Sequence, residues 1–186
     1  MSSSEKEILD AALQMFSRYG VRRTSMGDLA KTAGISRQTL YNAFRNKDDI
    51  LRALIRAFTD DAIRGIEAEI GTVKNLGDAL DIVFDKMVLA GFDLVLDTPN
   101  AQDLVDGFNA SGQEEMTRAA ERFRDVIERI LIPHEAALKE AGLTPVALSD
   151  FIQRSAKAAS NTARDREHLA RQLETLKRLC LATVDA

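Results

Sequence analysis

A short segment near the N-terminus holds the side chains of this sequence that are best suited to reading a nucleic acid. Arginine pairs with guanine in the major groove of DNA, and glutamine or asparagine pairs with adenine, because each presents two polar atoms in one plane. Three side chains of these types lie close together in the sequence: Arg37, Gln38 and Asn42. Their types and spacing predict contacts with base edges.

Groups that bind phosphate flank these three residues. Hydroxyl and ammonium groups donate to phosphate oxygens, and such contacts hold a protein in register on the duplex. The candidates are Ser25, Thr39, Tyr41 and Lys47. We therefore expect double-stranded DNA as the partner of this segment, with separate side chains for base contacts and for phosphate contacts.

Side chains that read DNA must stand on rigid helices. Ser25 and Ser36 can each cap a short helix, and the turn between the two helices contains Gly34. Leu40 and Phe44 are four residues apart, so they lie on one side of the second helix. We expect this side to pack against the other helices and the polar side to face solvent. The pattern predicts a helix-turn-helix, whose second helix enters the major groove.

The charge of the chain is divided unevenly. The whole sequence carries 25 basic and 29 acidic side chains, which gives a net charge of −4 at pH 7. Within residues 18–47, however, seven lysines and arginines accompany a single acid, Asp28. A local basic patch on an acidic protein is typical of a DNA-binding head.

The rest of the chain predicts further helices. Nearly every segment has the periodicity of an amphipathic helix, and no run has the period of two that marks a strand. The sequence therefore predicts an all-α fold, with a three-helix helix-turn-helix domain over residues 1–47 and a larger helical domain over 48–186. A long helix over 48–70 links the two.

Capping signals divide the larger domain into its helices. After a helix at about 76–90, Thr98-Pro99 starts a short helix that ends near Phe108. A capping box at Ser111 starts a long helix that Pro133 kinks or ends. The last two helices are predicted at about 145–161 and 164–182. The final helix aligns a set of apolar residues on one side: Leu169, Leu173, Leu176, Leu179 and Cys180.

Large apolar side chains in the middle of the chain are candidates for the wall of a ligand pocket. They are Phe84, Met87, Phe92, Phe108 and Phe123. Taken one by one, the same residues at the same helical spacing are more typical of an ordinary hydrophobic core. If they do line a pocket, its apolar character indicates a hydrophobic or amphipathic small molecule.

Catalysis is not predicted. His134 and His168 are far apart in the sequence, and neither has neighbours with the spacing of a metal site or a catalytic triad. Cys180 falls on the apolar side of its helix, which is typical of a buried thiol. There is no glycine-rich phosphate loop. The sequence therefore predicts neither an enzyme nor a cofactor nor a metal.

The sequence also predicts a cytoplasmic protein. No apolar run approaches the roughly 20 residues that a membrane-spanning helix needs. The N-terminus is rich in serine and then acidic, unlike a signal peptide.

The N-terminal segment resembles the DNA-binding domain of the tetracycline-repressor (TetR) family over about residues 4–55. The matching positions are Thr24-Ser25-Met26, Leu29-Ala30, Ala33-Gly34-Ile35-Ser36, Thr39-Leu40-Tyr41, Phe44, Lys47 and Ile50-Leu51. The resemblance implies an all-helical homodimer that pairs through its last two helices. It implies a repressor that leaves its operator when a small molecule binds the C-terminal domain.

The resemblance also implies roles for single residues. By position, Thr39, Tyr41 and Lys47 correspond to phosphate contacts. Two residues of the second helix depart from the family pattern: Gln38 stands where glycine is frequent, and Ala43 stands where a larger aromatic residue or histidine is common. No operator sequence is therefore predicted. The alternative reading is a helical small-molecule-binding or scaffold protein whose helix-turn-helix mediates protein contacts.

Overall fold

The computed structural model describes residues 3–97 and 110–184, and all regular structure within these two ranges is helical. The predicted all-α fold is confirmed. The helices are α1 (Ser3–Tyr19), α2 (Met26–Thr32), α3 (Arg37–Ala43), α4 (Lys47–Ile70), α5 (Leu76–Phe84), α6 (Ala90–Asp97), α7 (Ala110–Leu131), α8 (Glu135–Glu140), α9 (Pro145–Thr162) and α10 (Arg166–Val184). The predicted short helix at Thr98-Pro99 lies outside the described residues.

The chain folds into two compact units, whose boundaries fall within the helices α4, α6 and α7. The described residues of the N-terminal unit are 3–59, 94–97 and 110–119, and those of the C-terminal unit are 60–93 and 120–184. The N-terminal unit is therefore larger than the 1–47 domain expected from the sequence.

A small hydrophobic core explains why the N-terminal unit extends past residue 47. Side chains from α1 to α4 meet in it, and the first part of α4 supplies four of them. The largest of the fully buried residues are Ile8, Phe16, Leu29, Leu40, Ile50 and Leu51. Burying each such side chain contributes about 1.5–3 kcal/mol relative to leaving it in water. The start of α4 therefore holds α1, α2 and α3 together.

The helix predicted at 76–90 is longer than expected. It continues to Asp97 through one π-helical turn at Asp85–Leu89, where the Ala90 amide donates to the Asp85 carbonyl instead of the usual partner one residue later. Gly91 does not end the helix, since hydrogen bonding continues through it into α6.

The last two helices pack within the C-terminal unit. Thr144 caps α9, its hydroxyl accepting from the Ala147 amide at 3.1 Å, and Pro145 occupies the first turn as predicted. Leu169, Leu173, Leu176 and Cys180 of α10 are buried in the core of this unit. The expectation for Leu179 is wrong: its side chain is 60% exposed. Spacings of four, three and four carry the buried stripe past it, so Leu179 faces away.

None of the helices in the described ranges is long and apolar enough to cross a membrane.

Candidate nucleic-acid interface

Local sequence sets the geometry of α2 and the turn after it. The Ser25 hydroxyl accepts from the Asp28 amide at 3.1 Å, and the Asp28 carboxylate accepts from the Ser25 amide at 3.0 Å, which forms the capping box of α2. The hydrogen bond from the Ser25 hydroxyl, together with that from its amide, lowers the pKa of Asp28. Gly34, with φ of +68°, turns the chain out of α2, because glycine adopts this conformation without strain.

Helix α3 is anchored by one side and exposed on the other. The Ser36 hydroxyl caps it by accepting from the Thr39 amide at 3.0 Å. Leu40 is completely buried against the core of the N-terminal unit. The predicted base-reading residues are all exposed: Arg37, Gln38 and Asn42. Their backbone is therefore rigid while their polar groups are accessible.

Two of these three base-reading side chains are bonded to each other. The Gln38 amide nitrogen donates to the Asn42 side-chain oxygen at 2.8 Å across one turn of α3. The guanidinium of Arg37 lies instead against Gly27 at the start of α2. Each of the three predicted base-reading side chains thus has a defined resting position.

The predicted phosphate-contacting hydroxyls differ in their availability. The Ser25 hydroxyl donates to the Asp28 carboxylate at 2.6 Å, so its single proton is already used. The Thr39 hydroxyl lies 2.8 Å from that of Ser36. Tyr41 is 51% exposed and its hydroxyl forms no hydrogen bond within the described part of the chain. Of the three, the Tyr41 hydroxyl is the most available to a phosphate.

Lys47 has a structural role that was not predicted from the sequence. Its ammonium donates to the carbonyl oxygens of Val21 at 2.7 Å and Arg22 at 3.2 Å, which ties the start of α4 to the loop after α1. The Thr24 hydroxyl holds the same loop by donating to the Gly20 carbonyl at 2.9 Å. An ammonium has three protons, so one proton of Lys47 remains for a further acceptor.

A basic cleft of about 510 Å³ lies between the α1–α2 loop, α2 and α3. Its walls contain three arginines and a lysine alongside Tyr41, and no acidic side chain in the described part of the chain lines it. The lining residues are Arg22, Arg23, Thr24, Ser25, Met26, Gly27, Arg37, Tyr41 and Lys47. Sequence reasoning did not single out Arg22, Arg23 and Gly27 as site residues. The basic skew of residues 18–47 contained the signal for the two arginines, whereas nothing in the sequence pointed to Gly27.

One cation near the cleft is neutralised. The Arg45 guanidinium donates to the Asp49 carboxylate at 2.9 Å, which lowers the pKa of Asp49 and raises that of Arg45. Arg45 is therefore less suited to phosphate than its position in the basic stretch suggests.

Four of the predicted ligand-pocket residues gather in the C-terminal unit. Phe84 is buried in its hydrophobic core, and Met87, Phe92 and Phe123 are half-buried against the same core. Phe108 lies outside the described residues. Both expectations for these side chains, core and pocket wall, are compatible with this packing.

The potential reactive groups are dispersed. Burial raises the pKa of the Cys180 thiol to about 11, so it is a poor nucleophile at neutral pH. No cluster of three or more histidine, cysteine, aspartate or glutamate side chains among residues 3–97 and 110–184 could hold a metal ion.

Comparison with known sequences finds a family model that matches part of the N-terminal unit and curated relatives that align over a longer stretch. Residues 8–54 match the family model described as bacterial regulatory proteins, tetR family. The HTH-type transcriptional regulator AcrR of Shigella flexneri is 34% identical over 85 residues, which cover 46% of this chain and 39% of AcrR. The fatty acid metabolism regulator protein of Bacillus subtilis is 31% identical over 87 residues, covering 46% and 45%. The chain thus aligns with less than half the length of these curated relatives.

Solved structures extend the likeness of fold to nearly the whole chain. A transcriptional regulator from Cytophaga hutchinsonii has a TM-score of 0.78 at 16% identity, covering 97% of this chain and 98% of that one. The fatty acid degradation regulator FadR from Bacillus halodurans has a TM-score of 0.73 at 16% identity, covering 96% and 95%. FadR from Bacillus subtilis in complex with stearoyl-CoA has a TM-score of 0.62 at 18% identity, covering 92% and 96%.

Proposed function

Since the N-terminal domain of this chain belongs to the TetR family of bacterial regulatory proteins, we propose that the protein is a DNA-binding transcriptional regulator that represses its target genes. The observation that carries the proposal is the exposed polar side of α3 next to a basic cleft. Such a regulator works where the chromosome is, in the cytoplasm.

The proposed contacts divide between the two faces of the site. Arg37 and the bonded pair Gln38–Asn42 read base edges from the exposed side of α3. Tyr41, with the remaining proton of Lys47, contacts phosphates. Ser25 and Thr39 contribute to phosphate binding only if their hydroxyls leave their present partners, Asp28 and Ser36. Arg22 and Arg23 add positive charge along the same backbone.

We propose that the protein acts as a homodimer paired through its last two helices, at about 145–161 and 164–182. Large apolar side chains of these helices lie on the surface of the C-terminal unit: Val146 and Phe151 are each 57% exposed, and Leu179 is 60% exposed. Contact with a second copy would bury them. Two reading helices then meet successive major grooves when they are about 34–36 Å apart.

A charge placed on this apolar surface tests the dimer. Phe151→Glu is expected to convert the dimer to a monomer in sedimentation equilibrium. Ile132→Glu, at a residue 53% exposed outside both helices, is the matched control and is expected to stay dimeric. A dimer that survives Phe151→Glu, or a monomeric wild type, would contradict the proposed interface.

The ligand is proposed to be a hydrophobic or amphipathic small molecule bound in the C-terminal unit near Phe84, Met87, Phe92 and Phe123. One structural neighbour was solved with stearoyl-CoA, which makes a long acyl thioester the first probe to try. A ligand releases the protein from DNA only if it binds the DNA-free conformation more tightly than the DNA-bound one. A ligand that binds without changing operator affinity would contradict this coupling.

The DNA-binding proposal is tested by selecting bound sequences from random DNA duplexes. The affinity for the enriched sequences is then measured by fluorescence anisotropy. Tyr41→Phe removes only the proposed phosphate donor and is expected to weaken binding about tenfold, because a hydrogen bond to a charged group contributes roughly 1.5–3 kcal/mol. The sequence has a second tyrosine, Tyr19, which is also exposed and lies at the end of α1. Tyr19→Phe is the matched control. Failure to enrich any DNA, or equal effects of both changes, would contradict the proposal.

A further inference from the structure

Gly27 and Arg37 are in close contact across the helix-turn-helix. A β-carbon placed on Gly27 would lie 2.7 Å from one terminal nitrogen of Arg37, 3.2 Å from its Cζ and 3.3 Å from its Nε. Real β-carbons do not approach other atoms as closely as 2.7 Å. The guanidinium therefore occupies the volume that any side chain larger than hydrogen would need at position 27.

This contact is the main restraint on the Arg37 side chain. Arg37 is the first residue of α3, is exposed, and forms no hydrogen bond or ion pair with any residue that the structure describes. Asp28, beside Gly27 on α2, lies close enough for the positive charge of Arg37 to help lower its pKa. Packing against Gly27, aided by this weak attraction, thus determines where the guanidinium rests.

The resting position of an arginine matters for base reading. The guanidinium is a planar fork that pairs with guanine only from a narrow range of directions. A long side chain that is free to rotate loses conformational entropy when it is ordered by binding, and holding it beforehand reduces that loss.

We propose that Gly27 is a specificity-determining position: because it lacks a β-carbon, it seats the Arg37 guanidinium on α2 and sets the direction from which Arg37 reaches its base pair. Gly27 is a positioning residue and touches no base itself. The inference rests on the proposed DNA-binding function. Its consequence is that selectivity at one base pair depends on a glycine of the first helix of the motif.

Gly27→Ala separates this role from a structural one. The atoms displaced by the new methyl group are at the far end of a flexible side chain, so the fold can accommodate it, and alanine favours a helix more than glycine does. The thermal midpoint is therefore expected to stay the same or rise. Gly91→Ala is the matched control, since no atom of the residues that the structure describes lies within 4 Å of a β-carbon at that helical glycine.

The first measurement uses the free protein. The Nε–H group of Arg37 is followed by NMR, and its resonance is assigned from Arg37→Lys. In Gly27→Ala this resonance is expected to move and to show faster side-chain motion, while Gly91→Ala leaves it in place. An unchanged resonance in Gly27→Ala would contradict the proposed packing of Arg37 on Gly27, whether or not the protein binds DNA.

The second measurement compares base preferences by selection from random duplexes. Gly27→Ala is expected to lose about tenfold of the discrimination at one base pair, the same pair whose preference Arg37→Ala removes. The double variant is expected to lose no more than Arg37→Ala alone. A Gly27→Ala profile identical to wild type, or sharper at that pair, overturns this inference and leaves the proposed function intact. If wild type itself enriches no DNA, the proposed function fails and the inference fails with it.

Discussion

In the N-terminal unit, Arg23, Lys31 and Arg37 form no ion pair with any residue that the structure describes, whereas most cations of the C-terminal unit are held by acids. Lys177 shows the contrast clearly: its ammonium lies 2.8 Å from the Asp81 carboxylate. Cations without acid partners are available to phosphate groups, and release of the counterions condensed on DNA then favours binding.

The C-terminal unit uses its charges internally. Although burial lowers the pKa of Lys177, hydrogen bonds to Asp81 and Glu174 outweigh this and raise it. Arg166 donates to Asp93 at 2.9 Å, and Lys86 lies 3.1 Å from Glu69. Exposed ion pairs of this kind contribute little to stability, about 0–1 kcal/mol each, but they leave this surface without a free basic stripe. The basic patch of the N-terminal unit is therefore a local arrangement of charged side chains and not a consequence of composition.

The largest expected effect on stability comes from shortening a buried leucine in the core that packs against α3. Leu40 and Leu138 are both completely buried leucines, the first in the N-terminal unit and the second in α8 of the C-terminal unit. Each leucine-to-alanine change is expected to cost about 2–5 kcal/mol of unfolding free energy, measured by urea denaturation.

The DNA affinities of the two leucine variants distinguish the two units when they are measured at a temperature where both variants are folded. Leu40→Ala is expected to lose DNA affinity because α3 is no longer pinned, and Leu138→Ala is expected to keep it. Equal loss in both variants would break the assignment of DNA binding to the N-terminal unit.

A smaller effect is expected from alkaline pH in the C-terminal unit. The pKa of Cys180 is raised by burial to about 11, so between pH 9 and 11 the unfolded chain loses this proton while the folded chain keeps it. Folding is therefore penalised as pH rises through this window, by at most about 2 kcal/mol. Cys180→Ala is expected to remove this part of the pH dependence of unfolding. An unchanged pH profile in Cys180→Ala would contradict the buried, inert thiol.

The smallest effect concerns the helix caps of the two units, Ser25 of α2 and Thr144 of α9. Ser25→Ala and Thr144→Ala are each expected to cost about 1 kcal/mol of stability. Since the Ser25 hydroxyl already donates to Asp28, Ser25→Ala is expected to change DNA affinity by less than about threefold. A larger loss, absent from Thr144→Ala, would indicate that Ser25 leaves its cap to contact phosphate.

Much of the N-terminal unit could be predicted because its signals are local. Ser25, Gly34 and Ser36 act on their own neighbours in the chain, so the capping and turn rules that predicted them needed no tertiary structure. Leu40 and Asn42 fell on opposite sides of α3 by periodicity alone.

The remainder depended on contacts between distant parts of the sequence. The use of Lys47 to hold the Val21 carbonyl and the seat of Arg37 on Gly27 join residues that only the folded chain brings together. The role of Phe84 could not be predicted either, since a core and a pocket wall require the same apolar side chain. The prediction for Leu179 was wrong because apolar residues next to the buried face of a helix can still point into solvent, and the sequence alone does not show where the buried face ends.

We expect cations beside α3, among them Arg23, to bind the DNA backbone. The most direct test measures the slope of log affinity against log salt concentration for wild type, Arg23→Gln and Arg154→Gln. The two variants lose the same charge, but Arg23 lines the cleft and has no acid partner among residues 3–97 and 110–184, whereas Arg154 donates to Asp150 at 2.8 Å. The wild-type affinity is expected to fall steeply with salt. Arg23→Gln is expected to lower the slope by about 0.9 per subunit, and Arg154→Gln to leave it unchanged. Equal slopes in all three proteins, or an affinity indifferent to salt, would contradict the claim.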